Sequence, residues 1–205
     1  MTKIKLCGLS QLCDIEVANG LKPDYIGFVF ASKSKRYVTY EKAAELKDQL
    51  SPEIQAVGVF VDENPETVTE ILNKGVIDIA QLHGGEDEDY IKRLRQRTDK
   101  PIIKAFRIET ANDIETAEQS TADYILLDSG AGTGTVFDWE LIQNIKRPYF
   151  LAGGLGVDNV GSAIEVLHPY AVDVSSGIET NGIKDKTKMA AFVTAVRKEI
   201  NHEKS

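Results

Sequence analysis

Residues 56–65 read Ala-Val-Gly-Val-Phe-Val-Asp-Glu-Asn-Pro, and they give the clearest indication of the fold class. Its first six residues form an unbroken apolar run, which is typical of a strand buried on both faces of a parallel sheet. Asn64 and Pro65 then form a helix start, because asparagine is a good N-cap and proline suits the first helical position. The stretch therefore predicts a buried parallel strand that leads directly into a helix.

The same alternation continues along the whole chain of 205 residues and predicts eight strands and eight helices. The predicted strands lie at 3–7, 25–30, 56–61, 77–82, 101–106, 124–128, 149–152 and 171–174. With so many units and few residues between them, we expect one α/β domain over 1–205, a single (β/α)8 TIM barrel with a frayed tail at 201–205. An open doubly wound sheet is the alternative, because periodicity does not prove closure.

Composition excludes several classes of function. The 24 basic and 32 acidic side chains give a net charge of −8, which argues against nucleic-acid binding. No apolar stretch is long enough to cross a bilayer and the amino terminus lacks a signal-peptide pattern, so we expect a cytoplasmic protein without a membrane partner. Three histidines and two cysteines in no ligand spacing argue against a metal site. The acidic residues at 85–89 are expected to form the first turn of a helix.

Two chemically active side chains end predicted strands. Cys7 closes the first strand and Asp128 the sixth, and catalytic groups of parallel α/β folds stand at these carboxyl ends. Lys5 shares the strand face with Cys7 and would favour the thiolate, unless it reaches into solvent. Partial burial would keep a proton on Asp128. The alternatives are an inert buried thiol and a loop or capping carboxylate; Cys13 is expected to be a packed helix residue.

The loops after the seventh and eighth predicted strands indicate a phosphate site. The first loop contains Gly153 and Gly154, and the second contains Ser175, Ser176 and Gly177. Glycines let backbone amides approach an anion, serines add hydroxyl donors, and barrel enzymes often bind phosphate with these two loops. Two turns without a ligand are the alternative.

A second glycine-rich stretch, Gly130–Gly134, does not match the spacing of a dinucleotide fingerprint. A loop that covers the pocket is the expected role of this stretch. We therefore expect no nicotinamide and, with no metal spacing either, no cofactor.

Together these motifs resemble those of the phosphoribosylanthranilate isomerase family. The matching segments run in the family's order along nearly the whole chain: 5–9, 27–30, 34–38, 58–61, 81–84, 127–128, 132–134, 137–139, 152–155 and 173–179. The resemblance implies a cofactor-free enzyme of tryptophan biosynthesis that acts on a small phosphosugar, as a monomer or homodimer. Its reaction is an Amadori rearrangement of an aminoaldose to an aminoketose.

The resemblance also implies roles for individual residues. Cys7 would be the general base, Asp128 the general acid, and Arg36 the group that meets the anthranilate carboxylate. His83 is expected to bond within the barrel mouth beside the substrate, with polarisation of the substrate as the alternative. The segment 129–132 looks short for the family, which bears on how its loop closes.

Two other functions are weighed against this one. A related phosphosugar barrel, such as an epimerase or an indole-glycerol-phosphate synthase, would need metal-binding histidines or lysine–glutamate pairs in place of Cys7 and Asp128. A protein that binds a phosphorylated ligand without catalysis is the alternative from outside the enzymes.

Overall fold

Eight parallel strands form a closed barrel. The computed structural model of the chain describes residues 1–128, 142 and 145–202. The strands are β1 Lys3–Cys7, β2 Tyr25–Val29, β3 Gln55–Phe60, β4 Ile79–Leu82, β5 Ile102–Arg107, β6 Tyr124–Asp128, β7 Tyr149–Ala152 and β8 Ala171–Val174. Each strand pairs with the next, and β8 pairs with β1. The predicted barrel is therefore confirmed, and the open sheet is wrong.

Helices follow the strands on the outside of the barrel. Those described are α1 Leu12–Leu21, α2 Tyr40–Asp48, α3 Pro65–Asn73, α4 Glu88–Arg95, α5 Ala111–Gln119, α6 Val160–Leu167 and α7 Lys186–His202. The helix expected near residue 138, like the stretch Gly130–Gly134, lies outside the described residues. None of the described helices is both long and apolar enough to cross a membrane.

The ends of the helices follow capping chemistry. Asn64 caps α3 by accepting from the Glu66 N–H, and Pro65 takes the first helical position, as predicted. In the acidic segment, Asp87 caps α4 and the next two residues form its negative first turn, as predicted. Helix α1 is capped at Gln11, and the Asp14 carboxylate accepts from the backbone N–H groups of Ser10 and Gln11.

A short hairpin follows β8 that the strand count did not include. A 3₁₀ turn at Ser176–Ile178 leads into the antiparallel strands β9 Glu179–Thr180 and β10 Ile183–Lys184. The turn residues Asn181 and Gly182 both have positive φ angles, 53° and 79°. Asparagine followed by glycine favours this type of hairpin turn, so the signal was present in the sequence.

The barrel interior is apolar at its amino-terminal end and polar at its carboxyl end. The rings of Tyr25 and Phe150 lie 5.4 Å apart and fill the amino-terminal end. At the carboxyl end, a small apolar cluster of Cys7 with two valines is bordered by the polar side chains of Gln81, His83 and Asp173. A pocket can therefore form where β1 to β8 end.

Cys13 contradicts its expected role. The Cys13 side chain is exposed on the surface of α1 and does not pack into the core as a small hydrophobic residue. The helix turns this position towards solvent, which the apolar pattern of α1 was too weak to indicate.

Two buried ion pairs stand inside the polar end. Lys5 Nζ lies 2.7 Å from Asp173 Oδ2, and Lys104 Nζ lies 2.9 Å from Glu86 Oε2. Glu86 also accepts from the backbone N–H groups of Asp62 and Gly84, which ties the loop after β3 to the end of β4.

Replacing Glu86 by alanine should destabilise the protein strongly. The change leaves the Lys104 ammonium buried without its carboxylate, and breaking such a pair costs about 3–5 kcal/mol. Chemical denaturation measures the loss. Asp89→Ala is the matched control from the same acidic segment, because its side chain is 81% exposed and its ion pair is a surface pair. Equal stability of the two variants would contradict the structural role of Glu86.

Candidate active site

The residues singled out in the sequence meet in one cavity. This cavity of about 380 Å³ opens at the carboxyl ends of the strands. The predicted site residues that line it are Cys7, Arg36, His83, Asp128, Gly153, Gly154, Ser175 and Ser176. A larger groove of about 710 Å³ lies outside the barrel between α6 and α7, but no candidate catalytic residue lines it. The cavity at the strand ends is therefore the candidate active site.

Cys7 is held at the lip of this cavity by β1 and β2. Its register partner is Gly27, where a Cβ atom would lie 2.7 Å from the Cys7 Sγ. A glycine is needed at this position because a larger residue would displace the thiol. The Cys7 side chain is buried, with 8% of its surface exposed.

Burial and nearby charges compete over the pKa of Cys7. Burial raises the pKa of the thiol and is the largest effect. The Lys5 and Lys184 ammonium groups lower it, Asp173 raises it, and the net pKa lies above the ordinary value. The prediction that Lys5 lies on the same strand face as Cys7 and favours its thiolate is confirmed, although burial keeps the net pKa of the thiol raised.

Lys5 does not reach solvent. It is fully buried, and its Nζ donates to Asp173 Oδ2 at 2.7 Å. Burial alone would lower the pKa of Lys5, but the negative charges of Asp173 and of a Cys7 thiolate raise it above its usual value. Lys5 is therefore a fixed positive charge under the thiol.

Asp128 stands across the cavity, at the end of β6. Its side chain is 27% exposed, so the predicted partial burial is confirmed, and its Oδ2 lies 3.3 Å from His83 Nε2. His83 Nδ1 lies 2.9 Å from Gln81 Nε2. His83 thus lies between Gln81 and Asp128 and makes the predicted hydrogen bond within the barrel mouth, to Gln81.

Arg36 is bound by a carboxylate of the chain itself. Its Nε and Nη2 donate to the two carboxylate oxygens of Glu179 at 2.6 and 2.9 Å. Lys184 Nζ donates to Glu179 Oε1 at 2.6 Å. Burial would raise the pKa of Glu179, but the hydrogen bonds from Arg36 and Lys184 lower it below its usual value. Among the residues that the structure describes, the Arg36 Nη1 donors have no partner and can meet another group.

The hairpin residues Glu179 and Lys184 were missed from the sequence as members of the site. Glu179 is the last residue of the matching segment 173–179, and this position alone did not indicate a role in the site. Lys184 is 3% exposed and donates to the Ser175 carbonyl at 2.9 Å. The Asn-Gly turn signalled a hairpin, but nothing in its pattern indicated that it folds back over the barrel.

The two predicted phosphate loops lie side by side. Gly153 and Gly154 have φ angles of 92° and 63°, which glycine adopts without strain. Gly177 lies just outside the catalytic cavity, and a Cβ atom there would lie 2.0 Å from the Leu155 carbonyl oxygen. Because glycine has no side chain, the loops after β7 and β8 can pack together at Gly177. Gly177 therefore supports the wall of the cavity without lining it.

A metal centre is absent from the described part of the chain. No group of three or more histidine, cysteine, aspartate or glutamate side chains there is arranged to hold an ion.

The chain is similar to known proteins over nearly its whole length. A family model described as N-(5'phosphoribosyl)anthranilate (PRA) isomerase matches residues 4–195. An N-(5'-phosphoribosyl)anthranilate isomerase of Endomicrobium trichonymphae is 43% identical over 202 residues, covering 96% of this chain and 99% of the relative. One from Clostridium acetobutylicum is 45% identical over 207 residues, covering 97% and 99%.

Solved structures of the same family are similar to this chain over nearly its whole length. The crystal structure of phosphoribosyl anthranilate isomerase from Thermotoga maritima superposes with a TM-score of 0.89 at 36% identity, covering 97% of this chain and all 100% of that one. A second crystal structure of this enzyme, in complex with reduced 1-(o-carboxyphenylamino)-1-deoxyribulose 5-phosphate, gives a TM-score of 0.87 at 36% identity with the same coverage.

The Cys7 thiol should titrate above an ordinary cysteine, and Lys184→Met should raise its pKa further. The reason is that burial already disfavours the thiolate and the substitution removes an ammonium that lowers the pKa. The ultraviolet absorbance of the thiolate measures the titration, in a Cys13→Ser background that removes the exposed thiol.

Lys188→Met is the matched control, because Lys188 donates to the Glu179 backbone carbonyl and is not among the charges that shift Cys7. A thiol pKa below that of ordinary cysteine, or identical titrations of the two lysine variants, would contradict this electrostatic assignment.

Proposed function

The chain belongs to the N-(5'-phosphoribosyl)anthranilate isomerase family, and on this premise we propose that Cys7 and Asp128 are its base and acid. The enzyme converts N-(5-phosphoribosyl)anthranilate into 1-(2-carboxyphenylamino)-1-deoxyribulose 5-phosphate, an aldose–ketose isomerisation in tryptophan biosynthesis. The observation that carries the residue assignment is that both side chains line one cavity with the two predicted phosphate loops.

Asp128 acts first. It donates a proton to the ring oxygen of the ribose, the bond between this oxygen and C1 breaks, and the lone pair of the anthranilate nitrogen forms a C=N double bond to C1. His83 Nε2 lies 3.3 Å from Asp128 Oδ2 and orients the carboxyl group. Positioned acid–base catalysis of this kind contributes on the order of 10²–10⁴ in rate.

Cys7 acts second. Its thiolate removes the proton from C2, whose electrons form a C1=C2 double bond while the C=N electrons return to nitrogen. The product is an enolamine, which gains a proton at C1 and loses its enol proton to give the ketone. The positive charge of the opened Schiff base adds to those of Lys5 and Lys184, so the thiolate is favoured at the step that needs it.

The ends of the substrate are held by groups on either side of this pair. Gly153, Gly154, Ser175 and Ser176 bind the phosphate through backbone amides and hydroxyls. Arg36 binds the anthranilate carboxylate with the donors that Glu179 does not use. Holding both ends keeps C1 and C2 between acid and base, which is the main benefit of positioning.

The assembly and location follow from the same assignment. We propose that residues 1–205 act as one catalytic domain in the cytoplasm, as a monomer or homodimer, on a small-molecule substrate and without a cofactor. A structure of monomers generated from the dimeric Thermotoga maritima enzyme supports both assembly states as workable for this fold. The net charge of −8 is in keeping with no nucleic-acid partner.

The gene should restore growth without tryptophan to a bacterial strain that lacks this isomerase. Cys7→Ser and Asp128→Asn should each fail to do so, because one removes the base and the other the transferable proton. Turnover of the purified variants should be nearly abolished, while their affinity for inorganic phosphate stays close to wild type. Near-normal kcat in either variant would show that its role is wrongly assigned, and failure of the soluble wild-type protein to complement would contradict the function.

Arg36→Ala should weaken substrate binding more than catalysis. A hydrogen bond to a charged group contributes about 1.5–3 kcal/mol, so KM should rise by roughly 10- to 150-fold. Steady-state kinetics separate this from kcat, and Lys35→Ala, an exposed neighbour, is the control. Arg36→Ala also leaves Glu179 facing the substrate carboxylate, so Arg36→Ala/Glu179→Gln should bind better than Arg36→Ala. A kcat loss without a KM change would contradict the assignment.

A further inference from the structure

Two buried oxygen atoms in the active-site wall have no hydrogen-bond partner among the described residues. They are Gln81 Oε1 and Asp173 Oδ1. Both residues line the cavity, and only 1% and 7% of their surfaces are exposed. A buried acceptor without a donor is costly, so each such atom in a folded protein calls for an explanation.

Asp173 presents its second oxygen because Lys5 holds the first. The two residues are register partners on β8 and β1, and Lys5 Nζ donates to Oδ2 at 2.7 Å. Lys5 balances the charge of the carboxylate but does not supply a donor to Oδ1. Asp173 therefore offers a fixed acceptor next to Cys7.

Gln81 presents an acceptor because of the way His83 is bonded. His83 Nε2 lies 3.3 Å from an Asp128 carboxyl oxygen, which favours the tautomer with the hydrogen on this nitrogen. The other ring nitrogen, Nδ1, then accepts, and the Gln81 amide must turn its NH₂ group towards it at 2.9 Å. The Gln81 oxygen is left as the acceptor that has no partner.

Two hydrogen-bond acceptors without donors require a ligand group that can donate a hydrogen bond to each of them. Phosphate and carboxylate groups carry only acceptor oxygens at neutral pH and would be repelled by Asp173. Hydroxyl groups supply the missing donors without adding charge. In the substrate of the proposed function, on which this inference rests, the donors of this kind are the vicinal hydroxyls on C2 and C3 of the sugar.

We propose that Asp173 and Gln81 form a hydroxyl-binding subsite that recognises the vicinal diol of the sugar. Asp173 and Gln81 each accept one O–H. The subsite fixes the sugar between Cys7 and Asp128 and selects against sugars that lack these hydroxyls. A site built to bond a hydroxyl discriminates well against an analogue without it, because its own polar groups are then left buried and unpaired.

The test compares ribose 5-phosphate with 2,3-dideoxyribose 5-phosphate by calorimetry, with inorganic phosphate as a third ligand. One neutral hydrogen bond changes affinity roughly fivefold and one to a carboxylate roughly tenfold, so wild type should prefer the diol by about 50-fold. Gln81→Met should reduce the preference to about tenfold. Asp173→Asn should reduce it to about fivefold, because the single oxygen of the asparagine would accept from Lys5 and its NH₂ group, which is no acceptor, would take the place of Oδ1. Affinity for inorganic phosphate should not change.

Two further variants separate recognition from a general effect on the pocket. Gln81→Glu keeps an acceptor oxygen and should retain the preference that Gln81→Met loses. Val59→Ala changes the register partner of Gln81 on the pocket wall and should alter the affinity for both sugars equally.

The subsite is overturned if wild type binds both sugars equally, or if Gln81→Met and Asp173→Asn keep the full preference. The proposed function fails separately, through absent wild-type turnover of phosphoribosylanthranilate. Because the calorimetry needs no turnover, a preserved diol preference in an inactive wild-type protein would support the subsite and overturn only the function.

Discussion

The ion pair between Lys5 and Asp173 is the interaction on which the rest of the site depends. It joins β1 to β8, the two strands whose pairing closes the barrel, and it lies fully inside the polar end of the interior. Burying a pair of charges is weak evidence for stability, since apolar replacements are often as stable. Its value here is chemical, because it holds a positive charge beneath Cys7 and leaves Asp173 Oδ1, in the cavity wall, without a partner among the described residues.

Cys7 shows why this charge alone is not enough. Burial and the Asp173 carboxylate raise the pKa of the Cys7 thiol, Lys5 and Lys184 lower it, and the net pKa lies above the ordinary value, so the thiol is protonated in the free enzyme near neutral pH. The same burial excludes water and strengthens each charge in the pocket. The cation formed when the sugar ring opens is the remaining contribution. In the proposed mechanism, the thiolate form of Cys7 is therefore most favoured after Asp128 has acted.

The hairpin after β8 gives the site its second support. Through Glu179 it binds Arg36 bidentately, and through Lys184 it contacts Ser175 and influences Cys7. One element of six residues thus links the proposed carboxylate, phosphate and base positions. Side chains fixed before the substrate arrives lose less freedom on binding, which favours a preorganised site.

The order of the strands and helices could be predicted from the amino-acid sequence alone. So could the positions of Cys7 and Asp128 at strand ends, and the two loops that contain glycine and serine. These features depend on local periodicity and turn chemistry, which neighbouring residues set. Other features became known only from the three-dimensional structure. They are the pairing of β8 with β1 and the ion pairs of Asp173 with Lys5 and of Glu179 with Arg36. The exposure of Cys13 is a further one. Each of these depends on groups far apart in the chain, or on which face of a helix is covered. The pKa of Cys7 belongs with them, because it is the difference between burial and charges that three-dimensional packing sets.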